Sequence, residues 1–349
     1  MLKHLKELGD LLRQSGLPVK YDEPLAPFTT IGVGGPAALL VNVQTAIQLK
    51  QALAAARQKG IPALVLGKGS NLIISDEGFE GLAIINNSAD WQIVAETDVS
   101  DFSGSVQSRY EKALGAALPM DDYLKLMQIN GSVIVRADSG IRIAALSKAL
   151  YKKGIVGLEW FAGIPSTLGG GLYMNMHGGP LFLGDLVEKA VLFDGEKERT
   201  ITRDDFHFAY DYSILHDTKE TVLTVDLRLW KGQVKSASEF AKKWAREKSM
   251  QPRHSAGCVF QNLSPEQQSR LKISTSSTGY VIDRLLGLKG RQKGGAVISH
   301  KHAAFIENVN QASARDVYDL IRLIRDEAKK KLDLDLKLEI QFIGSFKRD

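Results

Sequence analysis

The sequence predicts a mixed α+β fold, and three observations carry that reading. Residues 45–59 and 141–153 place apolar side chains at helical spacing, the first of them rich in alanine. The apolar run Ile61-Pro62-Ala63-Leu64-Val65-Leu66 reads as a short buried strand. Near the C-terminus Leu332, Leu334, Leu336, Leu338, Ile340 and Phe342 alternate with Asp333, Asp335, Lys337, Glu339 and Gln341, the period of a one-faced strand. With 349 residues, two or three domains with substantial cores are expected.

Taken in order, Met1-Leu2-Lys3-His4-Leu5-Lys6-Glu7-Leu8 alternates charge with leucine and predicts an amphipathic surface helix, not a signal peptide. Pro24-Leu25-Ala26-Pro27 breaks that pattern, and Phe28-Thr29-Thr30-Ile31-Gly32-Val33-Gly34-Gly35-Pro36 forms a loop that exposes backbone. The strand 61–66 runs into Gly67-Lys68-Gly69-Ser70-Asn71, after which Leu72-Ile73-Ile74 resumes as a strand. Residues 96–127 turn polar and weakly periodic and read as an insertion, followed by the strand-like Gly131-Ser132-Val133-Ile134-Val135. A second glycine-rich region covers 157–171, and a loop-rich basic segment covers 279–302. Ser313 is placed to cap a helix running to about Lys330.

Three of these segments have chemical potential. A glycine loop between two strands presents backbone N–H groups that suit a pyrophosphate, and it is equally what a sharp strand-to-strand turn needs. It is neither a dinucleotide-fold fingerprint, because no helix opens after it, nor a Walker loop, because no Gly-Lys-Ser/Thr follows. The glycines of 157–171 allow close approach to a flat ligand or a tightly packed helix start. The only cysteine lies in Ser255-Ala256-Gly257-Cys258-Val259-Phe260-Gln261-Asn262, so no intramolecular disulfide and no Cys-x-x-Cys metal site can form. A free cysteine is commonly a small buried hydrophobe, but one flanked by Ala256 and Gly257 is open to a ligand. Glu339, on the residues alone, is one carboxylate of a polar strand face.

Composition is that of an ordinary soluble protein, with 44% hydrophobic and 24% charged residues and a mean hydropathy of −0.12. The net charge of +5 is mild and its basic residues are scattered, which suits an anionic small molecule and gives no support to nucleic-acid binding. No apolar run is long enough to span a bilayer, so the chain reads as cytoplasmic and without a membrane role; a monomer is expected.

In order along nearly the whole chain, Thr29-Thr30-Ile31-Gly32-Val33-Gly34-Gly35, Leu66-Gly67-Lys68-Gly69-Ser70-Asn71, Gly157-Leu158-Glu159, Gly163-Ile164-Pro165, Ser255-Ala256-Gly257-Cys258-Val259-Phe260, Ile282-Asp283, Leu288-Lys289-Gly290 and Leu338-Glu339-Ile340 resemble the UDP-N-acetylenolpyruvoylglucosamine reductases. The resemblance implies a two-subdomain FAD-binding fold of the vanillyl-alcohol-oxidase type plus a C-terminal α+β substrate-binding domain. The expected divisions are 1–76, completed by a C-terminal strand over 335–349, then 77–231 with the insertion, then 232–334. It implies FAD and NADPH as cofactors and UDP-N-acetylglucosamine enolpyruvate as substrate. By the same resemblance Gly67, Lys68, Gly69, Ser70, Asn71, Gly163, Ile164, Pro165, Ser166, Gly170 and Asn175 would hold FAD, and Asn262, Lys289 and His302 would face the nucleotide sugar.

In the family a serine delivers a proton in the reaction, and Cys258 holds its position; a thiol is able to donate. Glu339 matches the family's active-site glutamate, and Tyr210 the tyrosine of its Tyr-Arg-x-Ser motif. That motif here reads Tyr210-Asp211-Tyr212-Ser213, so the charge-stabilising arginine is replaced by an aspartate, and Arg136, Arg253 and Lys289 are the candidate substitutes. The usual Asn-Ala-Gly-Ala-Tyr-Gly reads Asn175-Met176-His177-Gly178-Gly179-Pro180, and residues 230–251 form a direct connection, as in the shorter subtype. Two alternatives stay open: a flavin- and UDP-sugar-binding homologue without turnover, and another FAD-dependent oxidoreductase of the same fold. Many of the latter attach flavin through a histidine near the first glycine loop, and residues 67–71 contain none.

Overall fold

The computed structural model describes residues 2–97 and 127–346. Most of the polar insertion therefore lies outside the described residues. The chain folds as two compact units, one of residues 1–19, 41–67 and 84–248, the other of residues 20–40, 68–83 and 249–349.

The first unit is organised by an antiparallel sheet in the order Glu198–Thr202, Val187–Phe193, Thr221–Lys231, Gly131–Asp138, Trp91–Thr97, with Ile155–Val156 beside Thr221–Lys231. Alternating apolar residues build the centre: Val133, Val135 and Ala137 on one strand and Val225, Leu227 and Leu229 on its neighbour are all buried. The helix Ile143–Tyr151 adds Ile143, Leu146 and Leu150 to the same core, and Trp160 and Trp230 are its largest buried side chains. The helix Ala46–Gln58 starts where Thr45 accepts a hydrogen bond from the Gln48 amide at 3.1 Å, an N-cap matching the sequence pattern. At the N-terminus, Leu5, Leu8 and Leu12 are the buried stripe of the helix Leu2–Gln14.

In the second unit the helix Ala314–Leu332 buries Val317, Leu320, Ile321, Ile324 and Ala328 at i, i+3, i+4, i+7 and i+11. Its start is doubly capped. Ser313 and Asp316 form a capping box, and both oxygens of Asp76 accept the amides of Ala314 and Arg315, at 2.8 and 2.9 Å. A small antiparallel sheet, Gln292–Lys293, Ala296–Ile298 and Ile306–Asn308, replaces the loop-rich reading of 279–302.

The one-faced strand read over 332–342 is corrected. The helix persists to Leu332, Asp333 takes the left-handed conformation (φ 45°), and the Leu334 amide returns to the Ala328 carbonyl, a C-terminal lock that apolar periodicity does not reveal. Leu334, Leu336 and Ile340 are buried, so the alternation is real, but only Gln341–Ile343 is a strand. It pairs in parallel with Leu72–Ile74, an arrangement in keeping with a C-terminal strand completing the segment that carries the first glycine loop. The packing groups the chain differently from the divisions at 76, 231 and 334, because segments distant in sequence share each core.

Candidate active site

In the second unit, four sequence-predicted segments meet. The Thr30 amide donates to the Gly69 carbonyl (3.2 Å) and the Thr30 hydroxyl to the Ser255 carbonyl (2.7 Å), joining the two glycine loops to the cysteine segment. Gly69 (φ +56°) passes so close to Phe28 that a Cβ would lie 2.2 Å from its carbonyl oxygen, so only glycine fits. A Cβ on Gly257 (φ +82°) would stand 3.9 Å from the Ser70 carbonyl. Val259 donates to Ala304 and accepts from the Glu339 amide at 2.9 Å, while Phe260 bridges Leu338. Asn71 closes the ring: its Nδ2 donates to the Glu339 carbonyl at 3.0 Å and its own carbonyl accepts from Gln341 at 2.9 Å. Cys258 and Glu339 are thus carried on adjoining backbone, each half-buried. That half-burial separates Glu339 from an ordinary exposed strand carboxylate.

The amides of Lys68, Gly69, Ser70 and Asn71 make no hydrogen bond among the described residues, and Lys68 is exposed without an ion-pair partner there. Four unspent donors and a cation in one turn fit a phosphate group. The predicted sugar-facing residues share the unit. Asn262 is exposed, Lys289 pairs with Asp283 at 3.0 Å, and His302 accepts the Ala304 amide on Nδ1 at 3.2 Å. Burial first, and then the positive charge of Lys289, hold His302 below the ordinary histidine range, so Nε2 carries the proton of a neutral ring.

In the first unit, Gly67 abuts Thr167: a Cβ there would lie 2.2 Å from the Thr167 hydroxyl oxygen, which also caps the short helix Leu168–Tyr173. Gly163 (φ +85°), Ile164, Pro165 and Ser166 lead into that cap, Ser166 bonding the Thr167 carbonyl, and Gly170 donates to Thr167 at 3.4 Å. The Tyr210–Ser213 turn is held from the same helix. The Ser213 hydroxyl and His216 Nε2 both donate to the Tyr173 carbonyl at 2.9 Å. Asn175, left-handed and buried, spends its whole carboxamide within the unit, Oδ1 on the Gly184 amide (3.0 Å) and Nδ2 on the Ala209 carbonyl (2.9 Å). It thereby ties the residue before Tyr210 to this turn. Asp211 is left-handed (φ 53°) and buried.

Sequence reasoning missed several members. Thr30 and Ser255 stitch the loops together, and His177 packs its ring 5.4 Å from that of Tyr210. The rebuilt 175–180 loop follows from Trp160: a Cβ on Gly178 would meet the Trp160 carbonyl at 1.9 Å and one on Gly179 its ring at 2.4 Å. The glycine pair was the available signal. Of the substitute cations, Arg136 is committed to a bidentate pair with Asp226 (2.7 and 2.8 Å) and Lys289 to Asp283.

Glycine loops with free amides suit a phosphate-bearing cofactor, and comparison with known proteins gives the class, an FAD-dependent oxidoreductase. An FAD-binding domain family matches residues 37–192, and the C-terminal domain of UDP-N-acetylenolpyruvoylglucosamine reductase matches residues 249–343. A UDP-N-acetylenolpyruvoylglucosamine reductase from Synechococcus sp. (strain JA-3-3Ab) is 34% identical over 93% of this chain and 90% of its own, and one from Moorella thermoacetica is 34% identical over 96% and 97%. The crystal structure of UDP-N-acetylenolpyruvylglucosamine reductase from Thermus caldophilus superposes with a TM-score of 0.66 at 28% identity, covering 94% of this chain and 99% of that one. The chain belongs to the UDP-N-acetylenolpyruvoylglucosamine reductase family.

Proposed function

We propose that this protein reduces UDP-N-acetylglucosamine enolpyruvate to UDP-N-acetylmuramate with NADPH, in the cytoplasm and as a monomer. The observation that carries the reading is the joining of the Lys68–Asn71 turn to the Cys258 and Glu339 segments through Thr30, Val259 and Asn71.

Bound FAD would supply the hydride chemistry that links NADPH to the terminal carbon of the enolpyruvyl group. Gly67, Lys68, Gly69, Ser70 and Asn71 would hold its pyrophosphate through backbone amides, and Gly163, Ile164, Pro165, Ser166 and Gly170 would hold the rest of it. Asn175 serves that site as a brace, since its carboxamide is already engaged. Negative charge develops on the substrate carboxylate as the hydride arrives. Cys258 then gives its thiol proton to the carbon beside the carboxylate, completing the saturated lactyl ether, and the thiolate regains a proton from solvent. Glu339 and Tyr210 complete the polar surroundings of that carbon, while Asn262, Lys289 and His302 face the nucleotide sugar.

The absorbance spectrum of purified protein, followed by NADPH oxidation with and without UDP-N-acetylglucosamine enolpyruvate, tests this. Bound flavin with substrate-dependent oxidation is the expected result; a colourless protein that does not take up FAD overturns it. Buried Asp211 favours one competing reading, a binding protein without turnover, which flavin without substrate-dependent oxidation would establish.

A further inference from the structure

Two motifs of the second unit, Ile282-Asp283 and Leu288-Lys289-Gly290, meet in one ion pair. Val281–Leu285 is a π-helical turn: the Leu286 amide returns to the Val281 carbonyl (3.0 Å), and the Leu288 amide then returns to that of Ile282 (3.0 Å). Such wide turns are rare and gather at functional sites. This one carries Asp283, whose Oδ2 accepts a hydrogen bond from Lys289 Nζ at 3.0 Å.

The backbone of Lys289 is fixed as closely. The Arg291 amide closes on the Leu288 carbonyl (3.0 Å) around Gly290, which is left-handed at φ +78°. Gly290 and Arg291 together face Ile298, the Gly290 amide donating to its carbonyl (2.8 Å) and the Ile298 amide to that of Arg291 (2.9 Å), a β-bulge of the kind that re-aims side chains. The loop 299–305 locks onto both ends of the segment. Ser299 Oγ accepts the Lys301 and His302 amides at 3.1 and 3.4 Å. A Cβ on Gly279 would lie 2.8 Å from His302 Cε1, and one on Gly290 2.4 Å from His300 Cε1.

What the backbone leaves loose is the flexible lysine stem, and ordering it opposes binding whenever a ligand must do so. Among the described residues Asp283 is the one acid that pairs with Lys289. Arg284 Nε stands 3.8 Å from the same Oδ2, so one carboxylate serves two cations and the group keeps a net positive charge. The carboxylate thus orients the ammonium without cancelling its attraction for an anion.

We propose that Asp283 is a positioning residue that holds Lys289 ready for the diphosphate of the nucleotide sugar and acts on binding only through that lysine. This rests on the reductase reading above, in which Lys289 faces the nucleotide sugar.

The test is a double-mutant cycle on flavin-loaded protein: wild type, Asp283→Ala, Lys289→Met and the two combined, with Asp283→Asn added because it keeps an acceptor for the ammonium. Calorimetric titration uses UDP, whose charge is the diphosphate alone, and UDP-N-acetylmuramate; steady-state kinetics use the enolpyruvyl substrate. Asp283→Ala should weaken both ligands and raise KM about fivefold, the worth of one mobile side chain left to be ordered, with kcat unchanged. In the Lys289→Met background the same change should do nothing further, and Asp283→Asn should recover most of the loss. An equal effect of Asp283→Ala in both backgrounds, tighter binding by Asp283→Ala, or a loss confined to UDP-N-acetylmuramate overturns the proposal. So does Lys289→Met binding UDP as tightly as wild type. If Asp283→Ala does not hold flavin, Asp283→Ser takes its place with the same outcomes. Failure of wild type to bind UDP-N-acetylmuramate overturns the reductase reading, and the assignment of Asp283 falls with it.

Discussion

Asn71 Nδ2 donates to the main-chain carbonyl of Glu339 at 3.0 Å, across 268 residues of sequence. A residue of the first glycine loop therefore helps fix the backbone of the candidate active-site glutamate. Asn71→Leu keeps the volume and removes the donor. Stability should fall by about 1 kcal/mol, the net worth of one such bond, and turnover by about tenfold as Glu339 shifts. Thermal unfolding and steady-state kcat on the same preparation check both, and a stability loss with full turnover would confine Asn71 to a structural part.

Cys258→Ala should keep flavin bound and slow substrate-dependent turnover by about a hundredfold, the ordinary contribution of a positioned acid. Cys258→Ser should restore most of it. Wild type should also lose activity in dilute peroxide and regain it with a thiol reductant, whereas Cys258→Ser resists peroxide. Timed assays after peroxide treatment decide this, and equal sensitivity of the two proteins would place the oxidation elsewhere.

Gly67→Ala drives a methyl group to 2.2 Å from the Thr167 hydroxyl oxygen, so the cap of Leu168–Tyr173 must shift. Gly60, by contrast, has φ +63° but open space around its Cβ position. Gly60→Ala should cost about 1 kcal/mol from backbone strain alone, and Gly67→Ala about 2–3 kcal/mol from overpacking together with weaker FAD retention. Denaturant melts and flavin release on dilution separate the two.

Burial is the first cause lowering the pKa of His177, His216 and His302 below the unfolded histidine value. Well above about pH 6.5 folded and unfolded chains are alike unprotonated at these rings. Below it the unfolded chain binds the extra protons, so stability falls as pH drops from about 6.5 towards the lowered folded values. Melting temperatures between pH 7.5 and pH 5 should decline through that window. His177→Gln should flatten the slope by its share, and an unchanged slope would contradict the burial of that ring.

Asp76→Ala strips both acceptors from the Ala314 and Arg315 amides and removes a negative charge from a helix N-terminus. A loss of about 1–2 kcal/mol is expected. Asp76→Asn, which retains one acceptor, should lose about half as much, as denaturant midpoints will show.

Much of the local geometry around the candidate site was legible in the residues because glycine loops and caps are local. Gly67–Asn71 and Ser313 announce themselves through steric and hydrogen-bonding demands that a few neighbours impose. The helix end at Leu332 was hidden, since the return of Leu334 to Ala328 keeps the leucine alternation while abandoning the strand. Asn175 looked like a cofactor ligand because its carboxamide is equally suited to bracing a turn, and only its partners Gly184 and Ala209 decide between them. His177 stood out only as part of a rebuilt loop, and its packing against Tyr210 is visible only in the fold.

The parallel pairing of Leu72–Ile74 with Gln341–Ile343 also sets a timetable. On the ribosome the first strand emerges hundreds of residues ahead of the second, and so does Asn71 ahead of Glu339. At ordinary elongation rates the early strand waits on the order of ten seconds or more with its edge unsatisfied. Nascent chains should therefore depend on holding by chaperones, and flavin capture should be a post-translational event, completed only once the last strand has left the exit tunnel.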